Sequence, residues 1–343
     1  MSVAPRVVLM GRSAQSYRPL LRESLTTFWG VDSWLPGEPV QALQDVLANA
    51  HAVVLGADAH TFAEFGIAPY RIDAHPNIRL LQLAFSNHDW LRPGMLPPGA
   101  RVCNVQAHAI TVAEYVMAVL LESAIGLRHM DAALRAGDWR HSGALFGQPH
   151  GELYGKTLGL IGCGSIGAEV AQRASAFGMK VIAVARHARQ QPPLAWVGGM
   201  ERLDELLVTS DCVVVACDLN EGTRGLLDAG RLQRMKSDAF LVSVTRAGVF
   251  NEEALYSLLA EKRIGGAALD VWFRYPSSLA DAAQNPCPSR FPFHELENLI
   301  MTPHAASWTV AHHQRRWRLV ATNLDCLARG EMPHGIVFEE TES

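Results

Sequence analysis

The chain has 343 residues, 49% hydrophobic and 19% charged, with a formal net charge of −4. That length is too great for one ordinary domain and comfortable for two. The charge balance gives no global attraction to nucleic acid or an anionic membrane, so neither is expected as a partner. Six cysteines (Cys103, Cys163, Cys212, Cys217, Cys287 and Cys326) fall singly, without a CxxC pair. They read as reduced packing thiols of a cytoplasmic, soluble protein, not as staples or metal ligands. No run approaches the roughly 18 apolar residues a membrane helix needs, and "RVVLM" suits a first strand better than a signal peptide.

The predicted elements alternate. Residues 6–10, 52–55 and 80–83 read as short apolar strands, with "VQALQDVLANA" supplying a helical period between the first two. From Thr111 the spacing predicts one long helix to about Gly137, opened by "TVAE" as a capping box in which Glu114 reaches back to Thr111. The segment "DWRHSGALFGQPHGELYG" reads as a loop able to wrap a neighbour. Strands 157–161, 180–185, 212–217, 239–244, 265–269 and 299–302 then alternate with helices 167–176, 201–209 and 251–261, and "TVAHHQRRWRLVATNLDCLARG" makes a final helix. Such alternation predicts an α/β fold with parallel sheets covered by helices.

Gly162, Gly164 and Gly167 form GxGxxG, a weak signal alone. Here it follows an apolar strand, opens a helix and leads to a second strand about twenty residues on, which is the context of a dinucleotide fingerprint. Gly162 allows the tight turn, Gly164 lets the backbone approach a pyrophosphate, and Gly167 lets helix and strand pack closely, with the phosphates at the helix N-terminus. The bland alternative is a turn without a ligand. The second strand usually ends in Asp or Glu, which bonds the ribose 2′-hydroxyl. In "KVIAVARHARQQ" it ends in Ala185, followed by Arg186, with Arg189 nearby. Loss of the carboxylate removes a repulsion, and a guanidinium can clamp a 2′-phosphate, so NADP is the expected cofactor and NAD the second choice. A solvated arginine pair is the alternative.

Four segments, "ELYGKTLGLIGCGSIG", "LQRMKSDAFLVSVTRAGVFNEEAL", "GGAALDVW" and "NLIMTPHAASWT", resemble in order and spacing the signature segments of the D-isomer-specific 2-hydroxyacid dehydrogenase family, over nearly the whole chain. The resemblance implies two Rossmann-like lobes. One is a discontinuous, flavodoxin-like substrate domain of residues 1–107 and 308–343, the other an inserted dinucleotide-binding domain of residues 108–307. It also implies a homodimer built on the helix and loop at about 111–153. Arg246, in "VTRAG", matches the arginine that holds the substrate carboxylate and polarises its 2-oxo group, tasks suited to a fixed fork of donors. His304, in "TPH", matches the acid/base that protonates the developing alkoxide. Asp270, in "LDVW", matches the acid near the nicotinamide, with helix or loop capping as the equal alternative, and Ser165, Ile166, Cys217 and Thr245 stand among the cofactor-contacting positions. "AFSNHD" matches the turn that grips the substrate carboxylate, with Ser86, Asn87 and His88 where the family has a glycine-containing form.

The family pairs its histidine with a glutamate five residues past the Asp270 position, and here that slot is Tyr275. A carboxylate there raises the imidazole pKa, whereas a neutral phenol orients the ring without lending charge, so activity is expected to fall away at lower pH than in relatives. Asp281, in the insertion that follows, is a candidate replacement acid. Phe85, Trp90, Trp139 and Phe146 read mainly as core or dimer contacts. Three functions stay open at this point. The first is an NADP-preferring reductase of a small 2-oxo acid such as glyoxylate, hydroxypyruvate or phenylpyruvate. The second is a formate- or phosphite-type dehydrogenase, which the missing glutamate mildly favours. The third is a dinucleotide-responsive binding module without chemistry, which Tyr275 permits and Arg246 and His304 argue against. None calls for a metal ion.

Overall fold

Runs such as "VVLM", "AVVL" and "CVVV" are apolar on both faces, as strands of a parallel sheet covered on two sides must be. The computed structural model describes residues 4–56, 70–86, 88, 90–276, 279–284 and 287–341. The chain divides into two units, residues 1–107 with 309–343, and residues 108–308.

The first unit holds β1 (Arg6–Met10), β2 (Gly30–Trp34), β3 (Ala52–Leu55), β4 (Leu80–Leu83) and β5 (Arg101–Cys103), all parallel. The last strand, Ile336–Glu339, pairs antiparallel with β5, and the order is last strand, β5, β4, β3, β1, β2. One face packs Val8, Val53 and Leu81 against Leu43 and Leu47, and the other packs Val7, Val54 and Leu80 against Trp317 and Leu324 of the final helix Val310–Arg329. Each fully buried Val or Leu contributes roughly 1.5–3 kcal/mol. That helix is anchored by Asp325, whose carboxylate accepts from the Thr26 N–H at 2.9 Å and hydroxyl at 2.6 Å, and from the Thr27 N–H at 3.0 Å and hydroxyl at 2.5 Å. Burial opposes the charge, but the threonine hydrogen bonds outweigh it and hold the carboxyl below its ordinary pKa.

The second unit is a seven-stranded, wholly parallel sheet of β6 (Thr157–Ile161), β7 (Lys180–Val184), β8 (Trp196–Gly198), β9 (Cys212–Val215), β10 (Phe240–Ser243), β11 (Gly266–Leu269) and β12 (Leu299–Met301). The order β12, β11, β10, β9, β6, β7, β8 puts the change of winding direction beside β6, the place where sheets of this kind bind ligands at the carboxyl ends of their strands. This is the mixed α/β, Rossmann-like architecture expected.

The structure corrects the first part of the long helix. It begins at Ala109 with His108 as N-cap, and the Val112 N–H already bonds the His108 carbonyl at 3.0 Å. Thr111 is therefore buried inside the first turn, and no capping box forms. Packing decided this: Val112, Val116 and Leu120 lie against Val170, Ala171 and Ala174 of the helix Ser165–Ala176. The single helix expected to Gly137 is two, because Gly126 adopts the left-handed conformation (φ 71°) that ends Ala109–Ile125, and Leu127–Arg135 departs at 52°. Among the described residues no single helix is long and apolar enough to cross a membrane.

Candidate active site

Every catalytic or cofactor-binding residue predicted in the second unit lies beyond the C-terminal end of a strand. The 162–167 loop follows β6, Ala185 to Arg189 follow β7, Cys217 follows β9, Thr245 and Arg246 follow β10, Asp270 and Tyr275 follow β11, and His304 follows β12. Seven parallel strands thus bring residues scattered over some 140 positions onto one edge, and five strand-to-strand steps of roughly 4.8 Å separate the β7 end from the β12 end.

The β6 end is built from backbone. Gly162 has φ 97°, and a Cβ on it would lie 2.6 Å from the Cys217 nitrogen. A Cβ on Gly167 would lie 2.5 Å from the Gly162 carbonyl oxygen. Gly164 differs, because a Cβ there would meet nothing within 4 Å. Packing requires the outer two glycines, whereas Gly164 keeps space free in front of the N-terminus of Ser165–Ala176, with exposed Ser165 and half-buried Ile166 in its first turn. Beyond β7 the Ala185 N–H bonds Gly198 at 3.0 Å, and Arg186 and Arg189 stand exposed with no hydrogen bond or ion pair to any described residue. Thr245 Oγ1 is buried and likewise has no partner among the described residues. Open space at Gly164, an orphan hydroxyl and two unpaired guanidiniums fit a nicotinamide dinucleotide laid along this edge. Burial pushes the Cys217 thiol up to about 11, so it lines the edge as a neutral group.

The β10–β12 end is built from side chains. Arg246 is exposed in extended backbone (φ −143°) and donates one hydrogen bond, at 2.9 Å, to the Thr245 carbonyl. Its charge acts on Tyr275, whose ring centroid lies 5.5 Å from that of His304 with the planes at 50°. Burial raises the Tyr275 pKa and outweighs the Trp272 N–H, which its oxygen accepts at 3.1 Å, and the neighbouring Arg246. The phenol is therefore neutral at ordinary pH. Asp281 and Tyr275 line one cavity of about 290 Å³, with Arg274, Cys287 and Pro288.

His304 has φ 57°, a left-handed conformation that costs a non-glycine residue on the order of 1–2 kcal/mol. What holds it there is Asp270, 1% exposed, whose Oδ1 accepts from Thr302 Oγ1 at 2.6 Å and the Ala305 N–H at 2.8 Å, and whose Oδ2 accepts from the Ala306 N–H at 2.9 Å. Asp270, expected beside the cofactor, thus engages both oxygens with its own chain. The Trp272 indole N–H donates to the Thr302 carbonyl at 2.8 Å, and the Tyr115 hydroxyl lies 2.8 Å from Thr302 Oγ1. Sequence reasoning missed Tyr115, Thr302 and Trp272. "TPH" carried a signal for Thr302, while Tyr115 sits in an apolar helix stripe with none.

In the first unit, Ser86 lies just past β4, and its carbonyl accepts from Asn104 Nδ2 at 2.8 Å and His88 Nδ1 at 3.2 Å. Asn87 lies outside the described residues. Phe85 and Trp90 pack on the core, whereas Trp139 (60%) and Phe146 (98%) are exposed.

Residues 117–306 match the family model of the D-isomer specific 2-hydroxyacid dehydrogenase, NAD binding domain. The chain is 35% identical over 233 residues to a glyoxylate reductase of Korarchaeum cryptofilum, covering 67% of this chain and 66% of that protein. It is 32% identical over 273 residues to a glyoxylate reductase of Thermofilum pendens, covering 78% and 77%. Among solved structures, a D-isomer specific 2-hydroxyacid dehydrogenase family protein of Aeromonas salmonicida superposes with a TM-score of 0.79 at 22% identity, over 98% of this chain and 99% of that one. The NADPH-dependent glyoxylate/hydroxypyruvate reductase of Sinorhizobium meliloti superposes with a TM-score of 0.72 at 21% identity, over 98% and 100%. The chain belongs to the D-isomer specific 2-hydroxyacid dehydrogenase family of oxidoreductases.

Proposed function

We propose that the protein reduces a small 2-oxo acid to the D-2-hydroxy acid, and catalyses the reverse, with NADP preferred over NAD. The observation that carries this reading is the meeting of Arg246, Tyr275 and His304 at one end of the sheet edge whose middle holds the glycine loop. The dinucleotide, when bound, supplies or accepts the hydride. The Arg246 guanidinium binds the substrate carboxylate and polarises the 2-oxo oxygen, and it is pre-organised for this by its bond to the Thr245 carbonyl. His304 gives a proton from its imidazole to that oxygen as it becomes an alkoxide, and in the reverse direction takes it back. Tyr275 limits the freedom of the His304 ring and brings no charge to it.

The NADP preference rests on Ala185 in place of a carboxylate and on Arg186 and Arg189, which are unpaired among the described residues. The relatives named as glyoxylate reductases support a small substrate. A second copy of the chain is the partner that fits the 127–154 segment, where Leu127, Leu134, Trp139, Leu145, Phe146 and Tyr154 are all more than half exposed.

The test is oxidation of NADPH or NADH with a panel of 2-oxo acids, followed by NADP with formate or phosphite. Turnover on 2-oxo acids that falls by about 10²-fold or more in Arg246→Ala and in His304→Ala is expected. Turnover of formate or phosphite alone, or dinucleotide binding without any turnover, would overturn the reading.

A further inference from the structure

We propose that Tyr115 and Thr302 are positioning residues for His304, acting through Asp270 as a one-way chain of hydrogen bonds that fixes the turn carrying the imidazole. This rests on His304 as the acid/base.

The direction of the chain follows from what each group can do. A carboxylate only accepts, so the Thr302 hydroxyl, 2.6 Å from Asp270 Oδ1, is the donor. With its proton committed there, Thr302 Oγ1 can only accept from Tyr115, so the phenol donates across 2.8 Å. Burial raises the Tyr115 pKa and keeps that donor protonated, against the smaller opposing effect of the Thr302 bond. On its far side Asp270 accepts the N–H groups of Ala305 and Ala306, the two residues directly after the left-handed His304. The Trp272 indole holds the Thr302 carbonyl, two residues before it. His304 is exposed, its ring lies against that of Tyr275, and its backbone lies between two pinned stretches, so the position from which the ring projects is set by groups on either side of it.

Tyr115 stands on the helix Ala109–Ile125, 187 residues from Thr302 in sequence. Deleting its hydroxyl frees the Thr302 lone pair and lets that hydroxyl rotate away from Asp270. The turn then loses one of three donors on a carboxylate that opposes an unfavourable φ. Arg246 belongs to a different strand end and has no bond to this chain, so the grip on the substrate carboxylate is untouched. The expected signature is a loss in the proton-transfer step alone.

The test uses Tyr115→Phe, Thr302→Val and the conservative Thr302→Ser, with three readouts: kcat and KM for a 2-oxo acid at saturating NADPH, the thermal midpoint, and the pH titration of the His304 ring by NMR in the cofactor-free protein. Tyr115→Phe and Thr302→Val are expected to lower kcat by about tenfold or more with KM little changed, and to move the His304 ring signal. Thr302→Ser is expected to restore both. A kcat near wild type with an unmoved ring signal, whatever the thermal midpoint does, would overturn the proposal. His304→Ala separates the two levels: full turnover in it sinks the acid/base reading, while the ring signal in Tyr115→Phe still decides whether Tyr115 positions His304.

Discussion

The two ends of the second unit's sheet edge are made from different materials. Around β6 and β7 the site is backbone and empty space: a left-handed Gly162, an uncovered Gly164, a helix N-terminus and two arginines with no partner among the described residues. Around β11 and β12 it is a buried lattice in which Asp270 alone accepts three hydrogen bonds to hold one strained histidine. The first end must receive a large anion whose own atoms complete the hydrogen bonding. The second, under the proposed reading, keeps one imidazole aimed while substrates come and go, and its bonds are closed within the protein.

The sharpest test of that contrast is a pair of alanines in one loop. Gly162→Ala puts a Cβ 2.6 Å from the Cys217 nitrogen at φ 97° and should destabilise the unit by roughly 2–4 kcal/mol in denaturant unfolding. Gly164→Ala should leave that unfolding curve in place and weaken dinucleotide binding by about tenfold or more. Equal effects on stability from the two would erase the distinction. Next in size, removing both Arg186 and Arg189 should cost roughly 1.5–3 kcal/mol of NADPH affinity by fluorescence titration and leave NADH binding unchanged. A parallel loss for both nucleotides would show that no phosphate is gripped there.

A baseline away from the edge is Asp325→Asn in the first unit, expected to lower stability by about 1–3 kcal/mol at neutral pH. Because the folded carboxyl has a lowered pKa, its contribution is present above the unfolded value of roughly 3.9 and is lost as pH falls through the lower folded value. Unfolding curves of wild type and variant should therefore converge in acid and diverge above it. The smallest effect concerns Tyr275. Its raised pKa keeps the phenol uncharged, so Tyr275→Glu would add a negative charge at that position and should extend the alkaline limb of 2-oxo acid reduction upward by roughly one pH unit. An unchanged limb would mean that the ring at 5.5 Å does not feel position 275.

The same contrast explains what the sequence disclosed. Backbone sites need glycines at fixed short spacing, so Gly162, Gly164 and Gly167, and the unusual Ala185 with Arg186, could be read directly. Strands that are apolar on both faces were equally plain. The edge strands β2, β8 and Ile336–Glu339 were not, because their half-exposed residues break the apolar run. The two-part helix was missed because Gly126 looks like any tolerated helical glycine until its φ is known. The Tyr115–Thr302–Asp270 lattice joins residues 32 and 187 apart, and no local spacing foretells such a meeting. His304 and Arg246 were matched through family resemblance alone, and Asp270, left open between loop capping and cofactor contact, engages its own chain.

Arg186 and Arg189 sit beyond the last backbone bond that ties β7 to its neighbour, and neither has a side-chain bond to another of the described residues. Under the proposed reading coenzyme choice is thereby uncoupled from folding, and single substitutions at positions 185 to 189 are expected to exchange one nucleotide for the other while the scaffold stays as it is.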